Sequence, residues 1–263
     1  MKQLIGIIGC GNMGSALAEG LRKDSNSRSV IIWDADPKKL AGFQPSELAQ
    51  SNVDLVQKTN HVILAVKPQQ LSEVIDEIKP HLKEESLVVS IAAGISTAWL
   101  EERLGSNVHV IRAMPNLAAK NGKSTTVICK GSHAEEMELI SVKAWFDAVG
   151  PGKVEIITEN LMDAATAVSG SGPAYFFYLM EQMVETAKEL GFSEKQARVL
   201  VEATAEGASS LAMGRDPSVL RAEVTSKGGT TEAALQVFEK QRLKEILREG
   251  ILAAARRSKE LSK

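Results

Sequence analysis

Up to residue 157 the chain alternates short apolar runs with stretches of helical periodicity. The runs are Leu4–Ile8, Val30–Trp33, His61–Val66, Leu87–Ile91, Val108–Ala113, Thr125–Ile128 and Val154–Ile157. Between them, apolar residues recur at helical spacing from Met13 (Ala16, Leu17, Leu21), and over Pro45–Gln50, Gln69–Leu82 and Thr97–Leu104. A further helix is expected over His133–Val149, with Ser132 as N-cap and Glu135 completing a capping box. Strands that alternate with helices imply crossover connections and a mainly parallel, doubly wound sheet. Strand order does not follow from the pattern.

From Asn160 onward the strand signature stops. Helices are expected near Leu161–Leu190, Glu194–Met213, Pro217–Val224, Thr231–Glu239 and Arg242–Lys259. Gly191 suits a C-cap, Ser193 with Gln196 a capping box, and Asp216-Pro217 a helix start. The reading is therefore an α/β domain over 1–159 followed by an all-α domain over 160–263. Ser169-Gly170-Ser171-Gly172-Pro173-Ala174 falls inside the first of these helices. Each helical glycine costs roughly 1 kcal/mol and proline more, so a kink or a close backbone approach is expected there.

The first βα junction carries chemistry. Gly9-Cys10-Gly11-Asn12-Met13-Gly14 joins the first strand to the first helix, and Asp34 follows Gly14 by twenty residues at the end of the second strand. This spacing is the dinucleotide-binding, Rossmann-type fingerprint. Gly9 allows the tight turn, Gly11 admits the pyrophosphate, and Gly14 allows close helix packing, with free amides at the helix start facing the anion. Asp34 is expected to accept hydrogen bonds from ribose hydroxyls and to repel a 2′-phosphate, with Lys38 and Lys39 near enough to blunt that effect. NADH, with NADPH also usable, is the expected cofactor.

Ligands in such sheets bind beyond the carboxyl ends of strands. Ala65, Val66, Lys67 and Pro68 should line the cofactor cleft, with Lys67 either meeting a phosphate or ribose oxygen or simply solvated. Ala92 and Ala93 offer small side chains against which a nicotinamide could lie. Met114, Pro115 and Asn116 close another strand, Asn116 being placed to hydrogen-bond an amide or ribose.

Composition narrows the classes. The chain has 263 residues, a formal net charge of -2 and 4% aromatic residues, which disfavours nucleic-acid binding. The apolar runs are too short to span a bilayer, and the N-terminus leads directly into a strand without room for a signal peptide. Cys10 and Cys129 form no spaced pair, and the four histidines lie apart, so no metal site is expected and a cytoplasmic location fits. No nucleophile–base constellation is evident.

The helical domain offers one anion-binding candidate. Thr225-Ser226-Lys227-Gly228-Gly229-Thr230-Thr231 precedes a helix, and glycines there leave amides free for a carboxylate, with hydroxyls of Ser226, Thr230 and Thr231 around it. A dinucleotide enzyme without a strong acid or base suits hydride addition to an already activated electrophile, such as a protonated imine.

Taken together, Ile7–Gly14, Ala65–Pro68, Val88–Gly94, Ile111–Asn116, Ala167–Tyr175 and Gly228–Thr231 resemble the pyrroline-5-carboxylate reductase family over the whole chain. The resemblance implies reduction of 1-pyrroline-5-carboxylate to L-proline by hydride from NADPH or NADH. It implies that Ser226, Gly228, Gly229, Thr230 and Thr231 bind the substrate carboxylate, with Thr231 hydrogen-bonding the ring nitrogen. It also implies an interlocked dimer through the helical domain, with assembly into larger rings. Lys227 stands where the family usually has proline, and Leu117-Ala118 where it often has Thr-Pro. The alternatives are a non-catalytic dinucleotide-binding relative or a reductase of another cyclic imino acid. A β-hydroxyacid-type dehydrogenase is disfavoured, because Lys188 is followed one turn later by Phe192 and not by asparagine.

Overall fold

The computed structural model describes residues 3–23 and 28–261. Met1 and Lys263, the outer limits of the two expected domains, lie outside the described residues. The chain forms two compact units, one running to Ser171 and including the residues from Ala254 on, the other Gly172–Ala253.

The first unit is built on a seven-stranded sheet, β1 (Gln3–Ile8), β2 (Arg28–Trp33), β3 (His61–Leu64), β4 (Ser86–Ser90), β5 (Val108–Met114), β6 (Thr126–Lys130) and β7 (Val154–Ile156), in the order β2-β1-β3-β4-β5-β6-β7. β1 to β5 are parallel; β6 runs antiparallel to β5 and parallel to β7. The doubly wound, mainly parallel sheet read from the alternation is therefore present. The order reverses at β1, which has β2 on one side and β3 on the other, and this is the switch point where such sheets bind ligands.

Period-two alternation sorts side chains to both faces. Ile5, Ile7, Ile63 and Ile111 pack with Leu17 and Leu21 of α1 (Asn12–Lys23) and with Trp145 and Phe146 of α5 (Glu136–Phe146). Ile8, Val62, Leu64 and Val88 pack with Leu55 of α2 (Asn52–Lys58), Leu71 and Ile75 of α3 (Pro68–Ile78) and Leu100 of α4 (Thr97–Leu104). Helices on both faces make the strands nearly all-apolar.

Three local expectations are corrected. Pro45–Gln50 holds only a 3-10 turn, Pro45–Glu47; the crossover helix is α2, begun by Ser51, whose hydroxyl accepts the Asp54 amide. Ser132 does not cap a helix, because its amide and hydroxyl both donate to Glu101. Glu135 is the N-cap of α5, with Glu138 closing the box. The expected helix Leu161–Leu190 is broken: α6 (Met162–Ala165) runs into a π-helical turn, Thr166–Gly170, and α7 (Gly172–Glu189) restarts with Pro173 in its first turn. Gly170 is the close approach, since a β-carbon there would stand 2.6 Å from Met114 Cε.

The second unit holds α7, then α8 (Glu194–Leu211), α9 (Pro217–Glu223), α10 (Thr230–Lys240) and the first part of α11 (Leu243–Leu261). Gly191 has φ +100° and Ser193 and Gln196 form the capping box, as the sequence indicated. Among the described residues, this unit buries only Gly172, Ala197 and Val201. Phe176, Phe177, Tyr178 and Leu179 are 67%, 56%, 65% and 53% exposed. Four consecutive positions point to all sides of a helix, so the first turns of α7 present apolar side chains all round.

Candidate functional site

β1 ends at Ile8 and the chain turns at Gly9, whose φ of +98° a residue with a β-carbon adopts only under strain. A β-carbon on Gly14 would collide with the Gly9 carbonyl, whereas one on Gly11 would meet nothing within 4 Å. The glycines thus divide as the fingerprint requires: two shape the turn and one leaves its face open. The Gly9 amide donates to Trp33 O and the Cys10 amide to Asp34 Oδ2 (2.8 and 2.7 Å). The next amides, of Asn12, Met13 and Gly14, open α1 and have no partner among the described residues. Free amides with the positive end of the helix dipole form an anion seat.

This turn borders a groove of about 160 Å3 whose lining includes Gly9, Gly11, Asp34, Lys39, Asn52, Ala65, Val66, Lys67, Gln70 and Val74. The groove therefore joins the glycine turn to the ends of β2 and β3. Lys67 lies exposed at its edge, directly before Pro68 opens α3.

Asp34 lines this groove with its carboxylate already engaged: it accepts the Cys10 and Asp36 amides and pairs with Lys39 Nζ at 3.2 Å, leaving its side chain 9% exposed. Burial tends to raise its pKa, but the Asp36 and Cys10 hydrogen bonds and the Lys39 ammonium outweigh it and hold the carboxyl below its ordinary value. A group depressed on folding stabilises above its unfolded pKa, about 3.9, and loses that contribution as pH falls through the folded value. Below pH ~4 the Tm of the native chain should therefore fall more steeply than that of Asp34→Asn; equal slopes would show that the clamp contributes nothing. Burial and the neighbouring Asp34 charge push the Cys10 thiol up to about 11, so it stays protonated and unreactive.

Asn52 is not evident from sequence, where the helical pattern points to Pro45–Gln50 and not to a start at Ser51. Its Nδ2 donates to Glu77, while its Oδ1 is buried without a partner beside the groove. A buried orphan acceptor there fits a ligand hydroxyl or amine. The usable signal was Ser51-Asn52 at the start of a crossover helix, the end of the helix that faces the ligand edge of the sheet.

Ala92, Ala93, Met114, Pro115 and Asn116 lie at the ends of β4 and β5, outside this groove. Asn116 is already engaged at both ends, with one N–H and one lone pair to spare: Oδ1 accepts the Ala118 amide and Nδ2 donates to Ser169 O in the π turn (3.1 Å each). Buried Arg112, one strand residue before Ala113, pairs with Glu159.

In the second unit the expected anion loop precedes α10, with Gly229 as N-cap. Three of its amides are engaged: that of Thr225 donates to Ala222 O at 3.1 Å, that of Gly228 to Glu232 Oε2 at 2.7 Å and that of Gly229 to Ser226 O at 3.0 Å. The Thr230 and Thr231 amides have no partner among the described residues, so the open anion seat is narrower than the seven-residue stretch suggested. Gly228, at φ +74°, makes the turn. Among the described residues no group of three or more His, Cys, Asp or Glu could hold a metal, and no helix is long and apolar enough to cross a membrane.

Known proteins are similar to this chain along its length. Residues 159–261 match the pyrroline-5-carboxylate reductase dimerisation family, and residues 4–94 the family of coenzyme F420-dependent NADP oxidoreductases. The chain is 37% identical to the pyrroline-5-carboxylate reductase of Pseudomonas aeruginosa, covering 98% of this chain and 96% of the relative. It is 34% identical to that of Pisum sativum over the same shares. The structure of a pyrroline-5-carboxylate reductase from Coxiella burnetii superposes with a TM-score of 0.91 at 33% identity over the full length of both chains. That of the Plasmodium falciparum pyrroline carboxylate reductase with NADP bound superposes at 0.87 and 28% identity, covering 100% of this chain and 98% of that one. With a mainly parallel sheet, an intact glycine turn and full-length relatives of one activity, the chain belongs to the pyrroline-5-carboxylate reductase family of NAD(P)H-dependent oxidoreductases.

Proposed function

We propose that this chain reduces the C=N bond of 1-pyrroline-5-carboxylate to give L-proline, and that the observation carrying this is the ready dinucleotide groove beside Gly11 in a full-length family member. The bound nicotinamide supplies a hydride to the imine carbon, and the ring nitrogen ends with a proton. The open face of Gly11 and the amides of Asn12, Met13 and Gly14 hold the pyrophosphate, and Asn52 Oδ1 accepts a hydrogen bond from the adenosine half. Ala65, Val66 and Lys67 bound the same groove, and Pro68 follows them as the first residue of α3. Ala92, Ala93, Met114 and Pro115 flank the nicotinamide half.

The substrate carboxylate is held by the Thr230 and Thr231 amides, with Ser226, Gly228 and Gly229 shaping the turn. The Thr231 hydroxyl hydrogen-bonds the ring nitrogen. An unperturbed hydroxyl is too weak an acid to protonate an imine, so its role is to orient an iminium, or an imine protonated through water. Functionally the chain divides at 159/160, a reading supported by the dimerisation family's match from residue 159. The helical part self-associates, and the apolar surface around α7 supports an interlocked dimer. Two free, buried cysteines accord with a cytoplasmic setting.

The test is the initial rate of NADPH and NADH oxidation with the imine. Turnover is expected with both, and folded protein that binds nucleotide yet shows none would refute the assignment in favour of a non-catalytic relative. Thr231→Val should lower kcat by roughly 100-fold, the scale of one lost transition-state hydrogen bond, with nucleotide Kd unchanged. An unaltered kcat would remove Thr231 from the mechanism.

A further inference from the structure

The residues that answer a 2′-hydroxyl or a 2′-phosphate stand at the end of β2, where an acid ordinarily meets the ribose. Here that acid is occupied. A carboxylate offers about four acceptor positions; in Asp34 the Cys10 and Asp36 amides take two, and Lys39 Nζ lies 3.2 and 3.3 Å from the two oxygens. Ala35 adds only a methyl group, and Asp36, which accepts the Lys38 amide, does not line the groove. Of the two lysines, Lys39 lines the groove and Lys38 does not. The Lys39 side chain is 44% exposed, and an ammonium has three donors, so it can keep Asp34 and still donate outward. The other charged group lining the groove is the cation Lys67.

We propose that Asp34 acts as a clamp on the glycine turn and that Lys39 is the residue that recognises a 2′-phosphate, so that this chain accepts NADPH despite the acid at the end of β2. This rests on the assignment of the groove to a dinucleotide. Asp34 fixes the turn through the Cys10 amide, and its charge is balanced by Lys39 before any ligand arrives. The acid therefore does not exclude the phosphate, and the lysine offers a charge-assisted contact that a ribose hydroxyl cannot match.

The probes are 2′,5′-ADP and 5′-ADP, with Kd measured by calorimetry on the full-length protein. Lys39→Ala should weaken 2′,5′-ADP at least tenfold and 5′-ADP by less than twofold, with Lys39→Arg within threefold of the native value. Raising salt should narrow the difference between the probes in the native chain and not in Lys39→Ala. Asp34→Asn should weaken both probes alike. Equal loss of both probes in Lys39→Ala, or a selective gain for 2′,5′-ADP in Asp34→Asn, would overturn the proposal while native binding and imine turnover left the assignment of function standing. Failure of the native chain to bind either probe would overturn both.

Discussion

Gly11→Ala is expected to abolish dinucleotide binding while leaving the fold intact, and Gly14→Ala to damage both. A β-carbon on Gly11 meets no protein atom within 4 Å, so it changes nothing in the free chain. It does occupy the space that a pyrophosphate needs against the backbone, and a weakening of Kd by at least about 100-fold is expected, with Tm shifted by no more than about 1 °C. On Gly14 the same atom would strike the Gly9 carbonyl and press on Ala65, 3.2 Å away. Overpacking of this kind costs about 1–3 kcal/mol, or several degrees in Tm, and it moves the turn that positions the amides. Calorimetric Kd and thermal melts on both variants decide the matter. A Gly11→Ala chain that binds NADPH normally would show that the pyrophosphate does not lie on this turn.

Replacing Phe176 and Phe177 together by aspartate should convert the protein to monomers at micromolar concentration and unfold much of the helical unit. Each phenylalanine side chain contributes about 1.5–3 kcal/mol when removed from water, and an unpaired charge buried in its place costs several kcal/mol more. Residues 172–253 bury almost no core of their own, so the expected result is that their stability falls together with self-association. Sedimentation velocity reads the mass, circular dichroism the helix loss, and the glycine-turn groove should still bind 5′-ADP because it lies wholly in the first unit. A double variant that keeps its oligomeric mass and helix content would refute a covering partner at this face.

Much of this was legible because the signals are local. The apolar runs that became β1 to β7, the turn glycines and the Ser193–Gln196 box each depend on a few adjacent residues, and backbone sterics translate them directly into structure. Helix starts were less secure wherever two polar residues competed for one role. Ser132 and Glu135 both look like N-caps; Glu101, thirty-one residues upstream, takes Ser132 and leaves the cap to Glu135. The early placement of α2 hid Asn52 for the same reason, since Pro45 and Ser51 offer equivalent starts.

The sequence by itself determined the two-part architecture, the glycine turn with its open and closed positions, and the family, because periodicity and spacing encode them without reference to distant residues. Tertiary structure alone decided which polar groups remain available. Asp34 is drawn inward by the Cys10 amide, Asn116 is tied to Ala118 and the π turn, Glu232 caps the amide of Gly228, and Asn52 is left with an orphan oxygen. A hydrogen-bonding side chain serves whichever partner the fold brings within about 3 Å, and for Asp34 and Asn52 that partner is set by the packing of separate strands and helices.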